Sequence, residues 1–374
     1  LQEDRQGRIA HLKLVSDYKA IVGAFVRIDL HKRDDFAYIW DMSQSRSDMT
    51  QSAQHQGTQQ FGFILVPGFS LMCFAAAIEP LRAANLLAGR DLYRVSTFAP
   101  SGEPAMASSG TPVPAEALPK RGSYLSTVFV CAGGQPSDWA LPAVRACLRQ
   151  LSRDGVRIGG ISGGPYLLAE AGLLDGYDFT IHWEHVPALR EIFPTLEPRQ
   201  ARFVIDRNRI TCGGGIAPLD MMHALIAERL GGAFARRVSD WFLHADIAQP
   251  ADPQRGSLAE RHGVTHPGLL AVLDRMEQTI ERPLSRAAMA QIAGVSPRHL
   301  DRLMAEHLKT TFLAQYRAIR LDHARRLLQQ SPLSVSEIAF ATGFSSAGHF
   351  ARCYRDAFGQ TPTRARGAAR YRPE

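Results

Sequence analysis

Two stretches near the end of the chain repeat each other at a spacing of 49 to 50 residues, and this repeat constrains the fold more than any other feature. MAQIAGVSPRHLDRLM (289–304) and VSEIAFATGFSSAGHFARCY (335–354) share Ala290/Ala339 and Gly294/Gly343, each pair four apart. Downstream, Ser296-x-x-His299-Leu300-x-Arg302 matches Ser346-x-x-His349-Phe350-x-Arg352. A small Ala lets two helices cross closely, and Gly takes a turn conformation that a Cβ resists. A Ser then caps the second helix. The pattern predicts two helix-turn-helix units. On the helix opened by Ser296, Leu300, Leu303, Met304 and His307 share the inner face, while Arg298, Asp301, Arg302 and Ala305 point away. On the helix opened by Ser346, Phe350, Cys353, Tyr354 and Ala357 face inward, and Gly348, His349, Arg352 and Arg355 face out. A connecting helix over about 311–329 spans roughly 28 Å, close to the ~34 Å between successive major grooves on one face of a duplex. A plain helical bundle with a solvated basic surface has no need of matched turns, caps and outward Arg.

Charge agrees with this division. Residues 283–374 hold 14 basic and 6 acidic residues, against 29 and 30 upstream, so the net charge of +7 comes from the last quarter of the chain. Thirteen of those 14 are Arg, suited to bidentate contacts with phosphate and guanine. The five cysteines (Cys73, Cys131, Cys147, Cys212, Cys353) form no CxxC pair, which predicts reduced thiols in a cytoplasmic protein and neither a zinc site nor a disulfide scaffold.

Upstream, short β-rich runs alternate with helical ones. FGFILV (61–66), YRVSTFA (93–99), STVFVCAGG (126–134) and VRIGGI (156–161) alternate with helices such as 75–88 and 141–154, predicting a parallel sheet covered by helices. The apolar stretch 61–78 is long enough to span a membrane. Pro67-Gly68 breaks it and Glu79-Pro80 closes it, which favours a buried strand followed by a buried helix. The predicted division is a leader over 1–60, an α/β domain over 61–248, a linker over 249–265, an all-α domain over 266–367 and a tail over 368–374. Met49 opens a polar stretch and is a candidate start; residues 1–48 form no recognisable element.

One upstream segment carries chemistry. Strand VRIGGI, then Ser162-Gly163-Gly164-Pro165, then helix YLLAEAGLL should project Ser162 at a helix N-terminus, where backbone N–H groups favour an anion. His185, His223 and His244 lack ligand-spaced partners and read as structural, and Asp175 and Asp178 as turn residues.

With these residues in place, two resemblances follow. Residues 268–367, above all IAFATGFSSAGHFARCYRDAFGQTPTRAR (338–366), resemble the DNA-binding domain of AraC/XylS regulators. The resemblance implies DNA contacts by Arg298, Asp301 and Arg302 in the first unit, and by His349 and Arg352 beside the side-chain-less Gly348 in the second. Asp301 either accepts from a cytosine amino group or pairs with Arg298 or Arg302. The runs 61–85, 162–183 and 211–226 resemble the PfpI-like branch of class I glutamine amidotransferase-like domains, implying a flavodoxin-like fold. That family's nucleophile, histidine and acid fall on Ser162, His182 and Glu79. Ser in place of the family's Cys implies a binding pocket with no catalytic residue, cofactor or metal.

Together the two halves resemble the GlxA-like regulators. This implies an activator of a catabolic operon answering to a small amine or amino acid such as glycine betaine, carnitine or an arginine-like metabolite. Its expected partners are promoter duplex, that effector, RNA polymerase and a second copy of itself, with no membrane. Glu79, Ser162, Gly163, His182 and Trp183 are the expected effector contacts: elbow N–H groups for a carboxylate, Glu79 for an ammonium, and Trp183 as an aromatic wall. Two rival readings are a hydrolase or amidase using Ser162 and His182, and a constitutive DNA binder whose upstream domain only dimerises.

Overall fold

The computed structural model describes residues 57–122 and 124–370. Residues 1–56, with the leader and the candidate start at Met49, lie outside the described residues, as does the end of the tail. Strand β1 (Gln59–Leu65) begins inside the stretch read as leader, because Gln59 and Gln60 pair with Tyr93 and Arg94 of β2 (Tyr93–Ala99). Short strands β3 (Ala105–Met106), β4 (Pro112–Val113) and β5 (Glu116–Ala117) follow, then β6 (Thr127–Ala132), β7 (Arg157–Ser162), β8 (Phe203–Asp206) and β9 (Arg209–Cys212).

The main sheet runs β5-β2-β1-β6-β7-β9-β8, parallel throughout except for β8 against β9. The chain leaves β1 for β2 on one side and later enters β6 on the other, so strand order reverses between β1 and β6. Clefts at such reversals, beyond the carboxyl ends of the strands, are where open α/β sheets place ligands. Both faces of the sheet are covered. Phe63 and Phe129 stack at 5.6 Å, and Phe74 of helix α1 (Leu71–Ala88) meets Phe63 edge-on. On the other face, Ile64, Val128, Val130 and Ile158 pack with Leu148 of α2 (Pro142–Arg153) and Leu167 of α3 (Gly164–Glu170).

Helix α1 is long and apolar enough to cross a membrane, yet it packs as a core helix against α5 (Ala217–Leu230) and α6 (Gly232–Trp241). It starts at Leu71, capped by Ser70, and runs straight through Pro80. Glu79-Pro80 therefore does not close it: burying Pro80, Leu81, Ala83 and Ala84 outweighs the one backbone hydrogen bond that proline forfeits. Helix α4 (Val186–Ile192) lies between β7 and β8 in the chain.

Beyond residue 257 the chain is helical: α7 (Leu258–His262), α8 (Pro267–Gln278), α9 (Arg286–Ile292), α10 (Pro297–Leu308), α11 (Phe312–Gln330), α12 (Val335–Ala341), α13 (Ala347–Phe358) and α14 (Pro362–Arg370). They build two small cores, and α11 serves both: Phe312 and Tyr316 in the first, Leu321, Ala324, Leu327 and Leu328 in the second. Leu300, Leu303 and Met304 are buried, as are Phe350, Cys353 and Tyr354. His307 and Ala357, expected to face inward, are exposed. They occupy equivalent positions in the last turns of α10 and α13.

Candidate functional site

The two helix-turn-helix units repeat bond for bond. Gly294 N donates to Gln291 O and Val295 N to Ala290 O; Gly343 N donates to Phe340 O and Phe344 N to Ala339 O, 49 residues later. Gly294 and Gly343 both have positive φ, 68° and 73°, which glycine adopts without a Cβ clash. The second turn then holds one residue more, Ser345, and the spacing becomes 50: Ser296 Oγ accepts from His299 N, and Ser346 Oγ from His349 N. Each cap supplies an acceptor to one of the four orphan N–H groups at a helix start.

Arg298 and Arg302 on α10, and His349 and Arg352 on α13, are exposed, as is Gly348. Asp301 pairs with Arg286 of α9 at 2.7 Å, rather than with Arg298 or Arg302. A cleft of about 1010 Å3 opens between the units, lined in part by Arg286, Asp301, Arg317, Arg320, Phe344 and His349.

In the α/β domain, β7 delivers Ser162 to the carboxyl edge of the sheet, beside the strand-order reversal. Ser162 has φ 60°, a left-handed conformation costing a non-glycine residue about 1 kcal/mol or more. Tight packing maintains the elbow. A Cβ on Gly163 would lie 2.2 Å from the Trp139 ring, and one on Gly214 would lie 2.8 Å from Ser162 Cβ. Trp139 is buried and anchored by Nε1–H donating to Gly133 O at 2.9 Å.

His182 comes to the elbow through its backbone, donating N–H to Ser162 O at 3.2 Å. Among the described residues no hydrogen bond joins the Ser162 hydroxyl to the His182 ring, whose Nδ1 accepts weakly from Glu184 N at 3.4 Å. Burial holds the His182 pKa below its usual value, against the opposing pull of Glu184. Glu79 stands elsewhere. It is ion-paired with Arg82 at 2.7 Å, about 9 Å along the helix axis from Cys73. Cys73, in the first turn of α1, is the residue that meets the loop over Ser162: Gly215 N donates to its sulfur at 3.1 Å. Trp183 has its ring face covered by the Arg255 guanidinium at 4.3 Å. The structure thus brings Ser162, Gly163 and His182 together, with the Trp183 ring 5.5 Å from the His182 ring as well as under Arg255, while Glu79 pairs with Arg82.

Known proteins match both halves of the chain. Residues 62–228 match the DJ-1/PfpI family and residues 289–368 a helix-turn-helix domain. The HTH-type transcriptional regulator GlxA of Rhizobium meliloti (strain 1021) is 63% identical over 315 residues, covering 84% of this chain and 97% of that protein. The regulator CdhR of Pseudomonas aeruginosa (strain PAO1) is 41% identical over 309 residues, 83% of this chain and 92% of its own. GbdR of Pseudomonas aeruginosa (strain UCBPP-PA14) is 37% identical over 309 residues, 83% and 84% of the two chains. The chain belongs to the GlxA-like family of HTH-type transcriptional regulators. Its DJ-1/PfpI domain precedes a DNA-binding domain of the AraC type.

Four residues of this regulator escape sequence reasoning. Arg286 holds Asp301 from outside the second helix of its unit. Arg320 of α11 donates to Thr342 O at 2.7 Å and lies 4.2 Å over the Phe344 ring, tying the connecting helix to the second turn. Trp139 underlies the elbow. Gln254, in the stretch read as linker, is inserted into the α/β domain: a Cβ on Gly213 would meet its amide at 2.5 Å. Only the Arg320 position carries a sequence signal, an Arg on a helix already predicted to join the units.

Proposed function

We propose that this regulator reads two segments of a promoter duplex through α10 and α13, with Arg298, Asp301, Arg302, His349 and Arg352 as contacts, and that Ser162, Gly163 and His182 mark its effector site. The observation that carries the reading is the bond-for-bond repeat of two capped turns, each opening a helix with exposed Arg on its outer side. Asp301, already paired with Arg286, acts by orienting that arginine or by accepting from a cytosine amino group. A non-catalytic elbow follows from the resemblance, in which Ser162 stands at the family's Cys position, since a serine hydroxyl needs a base to take its proton. Family resemblance supports an amine or amino-acid effector, with glycine betaine, carnitine and arginine as the first compounds to screen. Activation of a catabolic operon through RNA polymerase, by a homodimer, belongs to the same proposal.

Footprinting on duplex promoter DNA tests the interface. Arg302→Ala and Arg352→Ala should each weaken binding by roughly 1–3 kcal/mol and relax preference at one segment only. Equal loss on unrelated sequences would assign these residues to phosphate alone. Thermal shift with the three amines tests the effector site: binding should raise the Tm and change operator affinity together. Turnover of a bound amine, abolished by Ser162→Ala, would establish the hydrolase instead.

A further inference from the structure

The segment hydrogen-bonded to the elbow runs directly into the attachments of the DNA-binding domain. His182 donates its N–H to Ser162 O, and its carbonyl accepts from His185 N at 2.9 Å. His185 is 4% exposed, lies edge-on to Trp139 at 5.1 Å, and places Nδ1 2.9 Å from Gln330 Oε1 on α11. The same segment is held from the linker. Trp183 N donates to Gln254 Oε1 at 2.9 Å, and Gln254 Nε2 donates to Thr180 Oγ1, Ile181 O and Ala201 O at 2.8–2.9 Å. Arg255 covers the Trp183 ring, and Arg326 of α11 approaches it at 5.9 Å.

We propose that residues 182–185 are a latch: what occupies the elbow at Ser162 sets the hold of His185 on Gln330, and through α11 the relation between the two helix-turn-helix units. The inference rests on the reading of the elbow as the effector site.

Three observations favour this coupling over simple blocking of DNA. Among the described residues, every side chain lining the cleft between the units lies within 283–349, so the α/β domain leaves that cleft open. The first half of α11 lines the cleft with Leu313, Arg317 and Arg320, whereas the docked residues His323, Arg326 and Gln330 recur at helical spacing in its second half. Because α11 belongs to both small cores, and Arg320 ties it to the second turn, a shift of its docked half is carried to both units.

Coupling is reciprocal, so operator DNA must act back on the latch. The test uses the full-length protein with Ser162→Cys, whose introduced thiol at the half-buried elbow is alkylated with iodoacetamide to stand in for an occupant; the described native cysteines are all buried. Alkylation is expected to change operator affinity at least threefold, and Gln330→Ala to abolish that change. In the unmodified protein, operator DNA should alter hydrogen exchange in 180–186, and Gln330→Ala should remove this response too. Arg326→Ala serves as the second variant if Gln330→Ala fails to fold. An affinity change that survives both substitutions leaves the elbow as effector site and overturns the latch. DNA-dependent exchange at 180–186 without any effect of alkylation removes the effector reading and, with it, the latch, leaving only a contact that answers to DNA. If neither response is seen, the latch is overturned.

Discussion

At the scale of single residues, burial decides what the histidines can do. His185 is pushed down to about 4, first by desolvation and then by neighbouring His182, with the Gln330 bond opposing; His323 is also pushed to about 4, by desolvation, Arg326 and Arg190. Both are neutral at physiological pH, and the sign of their linkage follows. Above about pH 6.5 neither state binds the proton, and their contribution to stability is complete. As pH falls from 6.5 towards 4, the unfolded chain takes up protons that the folded chain refuses, so stability is lost across that window. For His185 alone the loss approaches about 3 kcal/mol. Denaturant melts between pH 7.5 and 4.5 should show this slope, and His185→Gln should flatten it. Gly163→Ala makes a second residue-scale prediction. A methyl 2.2 Å from the Trp139 ring has nowhere to go, and overpacking of this kind costs about 1–3 kcal/mol. A Tm unchanged by Gly163→Ala would show that Trp139 can move.

At the scale of elements, the duplicated turn makes a symmetrical prediction. Ser296 and Ser346 make the same cap bond, at 3.2 and 3.3 Å, to the third residue of their helices. Each change to Ala should cost about 1 kcal/mol, and the two losses should add because the caps belong to separate cores. Urea denaturation of the single and double variants checks both points. Strand and helix periodicity made most elements legible: YRVSTFA is β2 to the residue, and the connecting helix read over 311–329 is Phe312–Gln330. Helix α1 shows the limit, since Pro80 reads as an ending and tertiary burial carries the helix past it.

At the scale of the whole molecule, the stretch read as linker is partly a component of the α/β domain. Arg202 N donates to Pro250 O and Asp252 O, and buried Asp220 accepts from Arg202, His244 and Ala248 N. Gln254→Ala removes partners from Trp183 N, Thr180, Ile181 O and Ala201 O together. It should lower stability by about 1–3 kcal/mol and expose residues 249–257 to protease; unchanged cleavage would show that other contacts hold the stretch. The sequence by itself determined the two helix-turn-helix units, the parallel sheet and the Ser162 elbow, because each is written in residues within one or two turns of each other. Periodicity, a turn glycine and a capping serine act locally, so their spacing carries the information. Only the tertiary structure decided that Cys73 meets the elbow loop while Glu79 pairs with Arg82, that Arg286 takes Asp301, and that Gln254 and Gln330 grip the segment after Ser162. Apart from the Glu79–Arg82 pair, those contacts join residues 15 to 145 positions apart, and nothing in a local pattern encodes which distant side chain fills a given gap.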